Sequence, residues 1–540
     1  MEKTQEKTLY EAFVSGAEIN PRAPAFLYKG KTVSYSKFVE NVDRLAAALT
    51  AFGIQSGDII TASLPNIPKA AYLVYAANKV GAVLYLQHVL NAPEITVSGL
   101  KKTNSRILFV LDSAAAALKD ACAEMNVKLI SCCPADELGS LITHFYRRRE
   151  RLAPPCNATI TDYNHFVACT AVDSADTSRT ERLSPEKAAI LLDSGGTEGL
   201  PKTVELSANA LNALCYAGAH LINSKNGYSY RYMLSPLPIF HCFGLAMGLH
   251  AMVLHGGCNV FMPRFSRKDA LRYLKKNKIN YMLGVPAVYE ALLSCPPFCG
   301  KKLKAVDVAF CGGDSLSPKT KEEFDRRMAD AGARCRLMEG YGLSETLSVC
   351  CANTHAQNRA GSVGKPVLGA QVRAFDKELC VSGETLMNGY YGDAAATDKV
   401  FFTDNQNTRW LKTGDLGHVD SDGFVYFGGR AKNIIKVSGE SVFPIEIETI
   451  AKGVPHVKAC AAFAVPDPKS GSRVALAVEP ESGTSRETLL DALTRALSSS
   501  LQKNALPKFI EFYDELPKTK MLKIDVEKLK AEFGEIADKM

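Results

Sequence analysis

Hydrophobic positions in the first hundred residues alternate between two periods. Across residues 35–52, Phe38, Val42, Leu45, Ala46 and Leu49 share one helical face, which predicts an amphipathic helix. Residues 58–64 form a short apolar run that reads as a strand, broken by Pro65-Asn66. An alanine-rich helix is predicted over 68–80 and a second strand over 82–86. Strand, helix, strand in this rhythm predicts a parallel α/β sheet. The pattern returns at 305–310, an apolar run that ends in Cys311-Gly312-Gly313. Ser317-Pro318 then supplies an N-cap and a proline at the first helical position. The carboxyl end of such a strand is where α/β sheets bind ligands. Between these regions, residues 240–263 contain no Asp, Glu, Lys or Arg. Length alone would allow this segment to cross a membrane. Its four glycines and three histidines instead favour a buried helix beside a pocket.

After Gly429 the texture changes. A helix is predicted over 445–451, strands over 459–465 and 473–478, a helix from Ser485, a strand over 509–513 and a last helix after Asp525. These residues are enough to fold alone. The expected fold is therefore α/β. A large N-terminal domain, 1–429, has parallel and mixed β-sheets layered with helices. A small mobile α+β domain, 430–540, follows a hinge near 430–432.

Composition narrows the class. The chain has 540 residues, 46% hydrophobic and 22% charged, as expected of a soluble multidomain enzyme. Its net charge of +7 suits anionic small molecules and is too dilute to argue for nucleic acid. One basic knot, Arg147, Arg148, Arg149 and Arg151, reads as a solvated helix face, with peripheral contact to phosphate or a membrane as the rival. The charged start lacks the apolar core of a signal peptide, so the 16 cysteines are expected to be reduced thiols in a cytoplasm. No C-x-x-C pair occurs, which argues against a zinc or redox site.

Five segments carry candidate chemistry. In Ser194-Gly195-Gly196-Thr197-Glu198-Gly199-Leu200-Pro201-Lys202, glycines let backbone N–H groups approach a polyphosphate, hydroxyls donate and lysine adds charge. Pro201 before Lys202 excludes a Walker A loop. In Gly340-Tyr341-Gly342-Leu343-Ser344-Glu345, the carboxylate suits Mg2+, which prefers oxygen ligands. Asp415, after Lys412-Thr413-Gly414, is in the usual place of a turn residue, and in a nucleotide site its carboxylate could accept both ribose hydroxyls. The last two segments are Gly429-Arg430 through Glu448, and Pro517 through Ile524. Each alone reads more readily as a turn, a loop or a solvated surface.

In this order the segments resemble the adenylate-forming superfamily, which includes acyl-CoA synthetases, adenylation domains of peptide synthetases and beetle luciferases. The resemblance runs from about Tyr10 to Leu529 and leans toward bacterial fatty-acid–CoA ligases. It implies that Ser194, Gly195, Gly196, Thr197, Gly199 and Lys202 close over ATP phosphates. Tyr341 would lie along adenine between Gly340 and Gly342, Ser344 would contact phosphate, and Glu345 would bind Mg2+. Gly312, Gly313 and Asp314 would wall the adenine, and Asp415 with Arg430 would hold the ribose. His241, in Leu237-Pro238-Ile239-Phe240-His241, would sit near the substrate carboxylate. Lys523 would serve adenylation, Lys432 would mark the hinge, and Lys436 and Gly439 would approach in a second step.

The implied reaction joins a carboxylic acid to ATP as an acyl-adenylate and then to the thiol of coenzyme A. Two anions meet in the first step, so charge neutralisation dominates its barrier. No cysteine of the chain is needed as nucleophile. Rotation of the small domain would exchange Lys523 for the face bearing Lys436. Glu198, Thr203 and Leu522 depart from the family pattern, and the segment 375–379 is shorter than in relatives. Three rivals stay open: a carrier-protein phosphopantetheine acceptor, acting in trans because no carrier domain follows Leu529; an aryl or other acid; and a non-catalytic nucleotide-binding protein.

Overall fold

The computed structural model describes residues 7–149, 159–169, 183–194, 202–222, 229–276, 278–438, 440–467, 470–519 and 523–537. Among these the chain forms five sheets. The eight-stranded sheet contains the expected unit: strand Ile59–Ser63, helix Pro68–Lys79 and strand Val83–Leu86, with Ile60 opposite Leu84 in parallel register. Strands Ile107–Leu111 and Lys128–Cys132 extend it in parallel, and the antiparallel hairpin Ala188–Asp193 with Thr203–Ser207 lies on the other side. The nine-stranded sheet runs Tyr232–Leu234, Ile279–Gly284, Val308–Cys311 and Leu337–Tyr341 in parallel.

Helix Tyr35–Ala51 buries Phe38, Val42, Leu45, Ala46 and Leu49, the face its spacing predicts, and Ser34 caps it by accepting from the Lys37 N–H. Phe38 meets Phe13 and Phe26 with ring centroids 4.5 Å apart, at the centre of the main core. Helix Pro68–Lys79 has no polar face because every residue from Pro68 to Asn78 is buried. Within 240–263, Gly244–His250 is π-helical and continues as the helix Ala251–Leu254, all of it buried. Strands Ala370–Phe375 and Glu378–Gly383 are joined by Asp376 and Lys377 at φ 48° and 71°, a two-residue hairpin turn. This turn makes 375–379 short.

The smaller C-terminal domain has its own sheet, Val457–Asp467, Gly471–Pro480 and Phe509–Phe512. Helices Pro444–Gly453 and Arg486–Ser500 cover one face and Val526–Ala537 the other. Among the described residues no helix is long and apolar enough to cross a membrane, and the cysteines are unbridged. The basic knot divides. Helix Ser140–Arg149 turns Arg147 inward onto Asp162 at 2.7 Å, leaves Arg148 and Arg149 exposed, and ends before Arg151, which lies outside the described residues.

His250 sits inside this core. The Tyr75 O–H donates to its Nδ1 at 3.1 Å, and its Nε2–H donates to Asn212 Oδ1 at 2.8 Å. Burial lowers its pKa from 6.5 to about 3. The unfolded chain therefore binds one more proton than the native state between those values, and stability falls as pH drops through that window. The slope from one such group is about 1.4 kcal/mol per pH unit. Urea unfolding of His250→Gln between about pH 6 and pH 4 is expected to show a pH slope shallower than wild type by that amount.

Candidate active site

Two strand ends meet at the site. After Val308–Cys311, the Gly312 N–H donates to the Gly284 carbonyl at 3.2 Å, and the exposed Gly313 and Asp314 follow. After Leu337–Tyr341, the chain passes Gly342 into a tight turn, Ser344–Thr346. There the Leu343 N–H donates to Thr346 Oγ1 at 2.9 Å. A Cβ at Gly342 would lie 2.1 Å from the Ser348 carbonyl, so only glycine permits this return of the backbone. The turn aims the Glu345 carboxylate at Tyr390, whose O–H donates to it at 2.9 Å. Met387 N–H holds the Glu345 carbonyl at 2.9 Å.

Lys202 Nζ stands 4.6 Å from the Tyr390 ring centroid, a cation–π contact. The Ser194 N–H donates to the Lys202 carbonyl at 2.7 Å and closes the base of the glycine-rich loop. Gly195, Gly196, Thr197, Glu198 and Gly199 lie outside the described residues, as do Gly439 and Leu522. Thr203, a departure from the family pattern, has work here. Its buried hydroxyl donates to Asp193 at 2.8 Å and accepts from Lys102 at 2.8 Å, pinning the loop base to the sheet.

Asp415 is 1% exposed. The Tyr341 O–H donates to its Oδ2 at 2.6 Å, and Arg430 Nε lies 3.0 Å from Oδ1. Antiparallel pairing places Asp415 directly opposite Arg430. Burial raises the Asp415 pKa, and Arg430 opposes that rise. Burial also drives the Tyr341 phenol up, so it remains a donor. Oδ1 has its ion pair but no aligned hydrogen bond, which leaves a buried acceptor for a ligand.

His241 forms the wall opposite. Its pKa falls to about 3, first through desolvation and then through His88 and Lys523, so the ring is a neutral donor. Beside it, burial pushes the Cys242 thiol up to about 12, and its S–H donates to the Ser344 carbonyl at 3.7 Å. That sulfur is no nucleophile at neutral pH.

Tyr341, Ser344, Glu345, Asp415, Lys202 and His241 line one cavity of about 2220 Å³. Ser194, Gly312, Gly313, Asp314, Gly340, Gly342, Arg430 and Lys432 line it too. Lys523 enters from the C-terminal domain on a hairpin held by Thr519 N–H to the Lys523 carbonyl at 2.7 Å and Asp525 N–H to the Pro517 carbonyl at 2.8 Å. Lys436 is not brought to the cavity. It lies on the hairpin Ile435–Val437 with Glu440–Val442, where it donates to Ser441 at 2.7 Å. Sequence reasoning missed Tyr390 and His88. Tyr390 sits beside a second tyrosine after a glycine, which was a weak signal, and His88 is a lone histidine after a strand.

Residues 13–391 match the family described as AMP-binding enzyme, and 446–523 match the AMP-binding enzyme C-terminal domain. The chain is 26% identical to a long-chain-fatty-acid–CoA ligase of Bacillus subtilis, covering 96% of this chain and 93% of that one. It is also 26% identical to a feruloyl-CoA synthase of Amycolatopsis, covering 96% and 98%. Its fold matches ATP-bound MatB from Rhodopseudomonas palustris with a TM-score of 0.83 at 21% identity, over 98% and 100% of the two chains.

Gly342→Ala places a methyl against the Ser348 carbonyl. Overpacking of this kind costs about 1–3 kcal/mol. Titration calorimetry with AMP is expected to show a Kd raised about 10- to 100-fold.

Proposed function

The chain belongs to the AMP-binding enzyme family, and we propose that it is an AMP-forming acid–CoA ligase acting on a fatty acid. The observation that carries this reading is one cavity bearing Asp415, Glu345, His241 and Lys523 together. The orphaned Asp415 Oδ1 suits a ribose hydroxyl. Glu345, steadied by Tyr390, would hold Mg2+, which supplies charge neutralisation to the polyphosphate when bound. Ser344 and Lys202 would contact phosphate at the same wall. His241, neutral, would donate to the substrate carboxylate without adding charge.

Attack of the carboxylate on the α-phosphorus forms the acyl-phosphate bond and breaks the bond to pyrophosphate. The Lys523 ammonium offsets the negative charge gathered there. The thiol of coenzyme A then attacks the acyl carbon, and AMP leaves. We place the hinge near Arg430–Lys432, just after Gly429. Gly429 has φ 108°, and its Cβ would stand 3.4 Å from Ile445 Cγ2. Rotation there would withdraw Lys523 and bring Lys436 and Gly439 forward for thioester formation. The 1–429 and 430–540 division follows from this placement.

The cavity that His241 lines also has Leu221, Leu237, Met247, Leu283, Val288 and Phe310 in its wall. This apolar set supports a long apolar acid over a dicarboxylate or amino acid. An aryl acid is the second reading, favoured by the equal identity to the feruloyl-CoA synthase.

Pyrophosphate release over a panel of fatty, aryl and amino acids tests the proposal. Fastest turnover is expected with fatty acids. Turnover with aryl acids alone would move the assignment to the second reading, and ATP binding with no turnover on any acid would overturn enzymatic activation. Lys523→Ala is expected to slow adenylation about 100- to 1000-fold, while thioester formation from supplied acyl-adenylate stays near wild type. Unchanged adenylation in that variant would remove Lys523 from the first step.

A further inference from the structure

We propose that helix Ser140–Arg149 is a membrane-docking element that seats the mouth of the cavity on a bilayer bearing anionic phospholipid. The helix is turned inside out. Leu141, Ile142 and Phe145 are 68%, 49% and 59% exposed. Two of its polar residues turn inward instead: the Thr143 hydroxyl donates to the Ala135 carbonyl at 2.9 Å, and Arg147 donates to Asp162 at 2.7 Å. Isolated exposed apolar residues are ordinary, but three on one face of one helix form a patch. Spacing of three and four residues continues that face onto Arg148 and Arg149, both exposed.

The helix stands at a mouth. Tyr146, on its inward face, lines the same cavity as His241. The mouth opens where strand ends from two sheets converge. Leu111 ends a strand of the eight-stranded sheet and Leu90 follows another, while Lys29 and Arg264 follow strands of the nine-stranded one. The Tyr28 O–H ties the two edges together by donating to the Pro134 carbonyl at 2.6 Å. Leu90 is 67% exposed and lines the cavity. Lys29 and Arg264 are exposed and line it too. The surface thus joins an apolar face to four exposed cations around an opening.

This chemistry selects a bilayer. Aliphatic and aromatic side chains on a short helix enter the headgroup–acyl boundary, and arginines beside them meet lipid phosphate. A protein partner would need a matching acidic and apolar surface, for which the mouth offers no template. Delivery of a bilayer-dissolved acid into the mouth rests on the fatty-acid reading above. Docking itself does not.

Flotation of the full chain with vesicles tests the docking without any acid. Vesicles containing phosphatidylglycerol are expected to bind the protein at least ~10-fold more tightly than vesicles of phosphatidylcholine alone. Leu141→Ser/Ile142→Ser/Phe145→Ser is expected to weaken that binding at least ~10-fold. Arg148→Gln/Arg149→Gln, a second variant that spares the apolar face, is expected to reduce the preference for phosphatidylglycerol and its salt sensitivity. No vesicle binding by wild type overturns the proposal, as does undiminished binding by both variants. A wild-type dimer that the serine variant dissociates, with no vesicle binding, overturns it in favour of a contact between copies. Pyrophosphate release is read separately: vesicle binding without turnover on any fatty acid leaves docking standing and removes the fatty-acid reading.

Discussion

The buried carboxylate of Asp415 is the constraint on which the site depends. Removing a carboxylate from water is costly unless it is paired and hydrogen-bonded. Here the compensation comes from two different sheets. Tyr341 ends a strand of the nine-stranded sheet, and Arg430 ends the strand paired with that of Asp415 in the five-stranded sheet. Satisfying one carboxylate therefore fixes how two sheets abut. Arg430 is followed directly by the turn Ala431–Asn433. Loss of either partner would leave a buried charge half compensated, which makes the arrangement all-or-none.

From that fixed point the remaining groups take their places. Tyr341 leads through Gly342 into the turn that presents Ser344 and Glu345. Glu345 is met by Tyr390, from a strand that pairs with Thr203–Ser207, so the carboxylate is oriented by the far side of the glycine-rich loop. Lys202 over Tyr390 closes the circuit. His241 and Cys242 line the same cavity and are held uncharged by burial, with Cys242 donating to the Ser344 carbonyl. Lys202 thus stands by Tyr390 and Glu345, while the charge of Lys523 acts on His241.

Much of this was legible in the chain. The helix over 35–52 and the strand–helix–strand unit after it follow local periodicity, and their faces are buried as the spacing predicts. Ser317 caps its helix and Ser485 caps another, because capping is decided within four residues. The motif residues Tyr341, Glu345, Asp415 and Lys523 converge on one cavity. What could not be read depends on distant partners. Nothing near Tyr390 announces Glu345, 45 positions away. The π-helical course of Gly244–His250 is set by packing around an uncharged segment with no periodic signal. The basic knot reads as one patch in sequence, yet Asp162 draws Arg147 inward and separates it from Arg148.

The contact between the two domains bears on how the same cavity can serve two reactions. Lys319 of the large body meets Glu481 of the small one at 2.5 Å, with 61% and 40% exposure. His456 shares that carboxylate at 3.2 Å. Exposed ion pairs contribute about 0–1 kcal/mol, a small bias toward the arrangement that holds Lys523 in the cavity. A strong interface would trap Lys523 there and block the exchange proposed for Lys436. The pair at Asp415 is buried, whereas the contact between Lys319 and Glu481 is exposed. In the rotation proposed above, a buried pair at the hinge and an exposed one beyond it would let the groups around Asp415 stay put while the lysines change places.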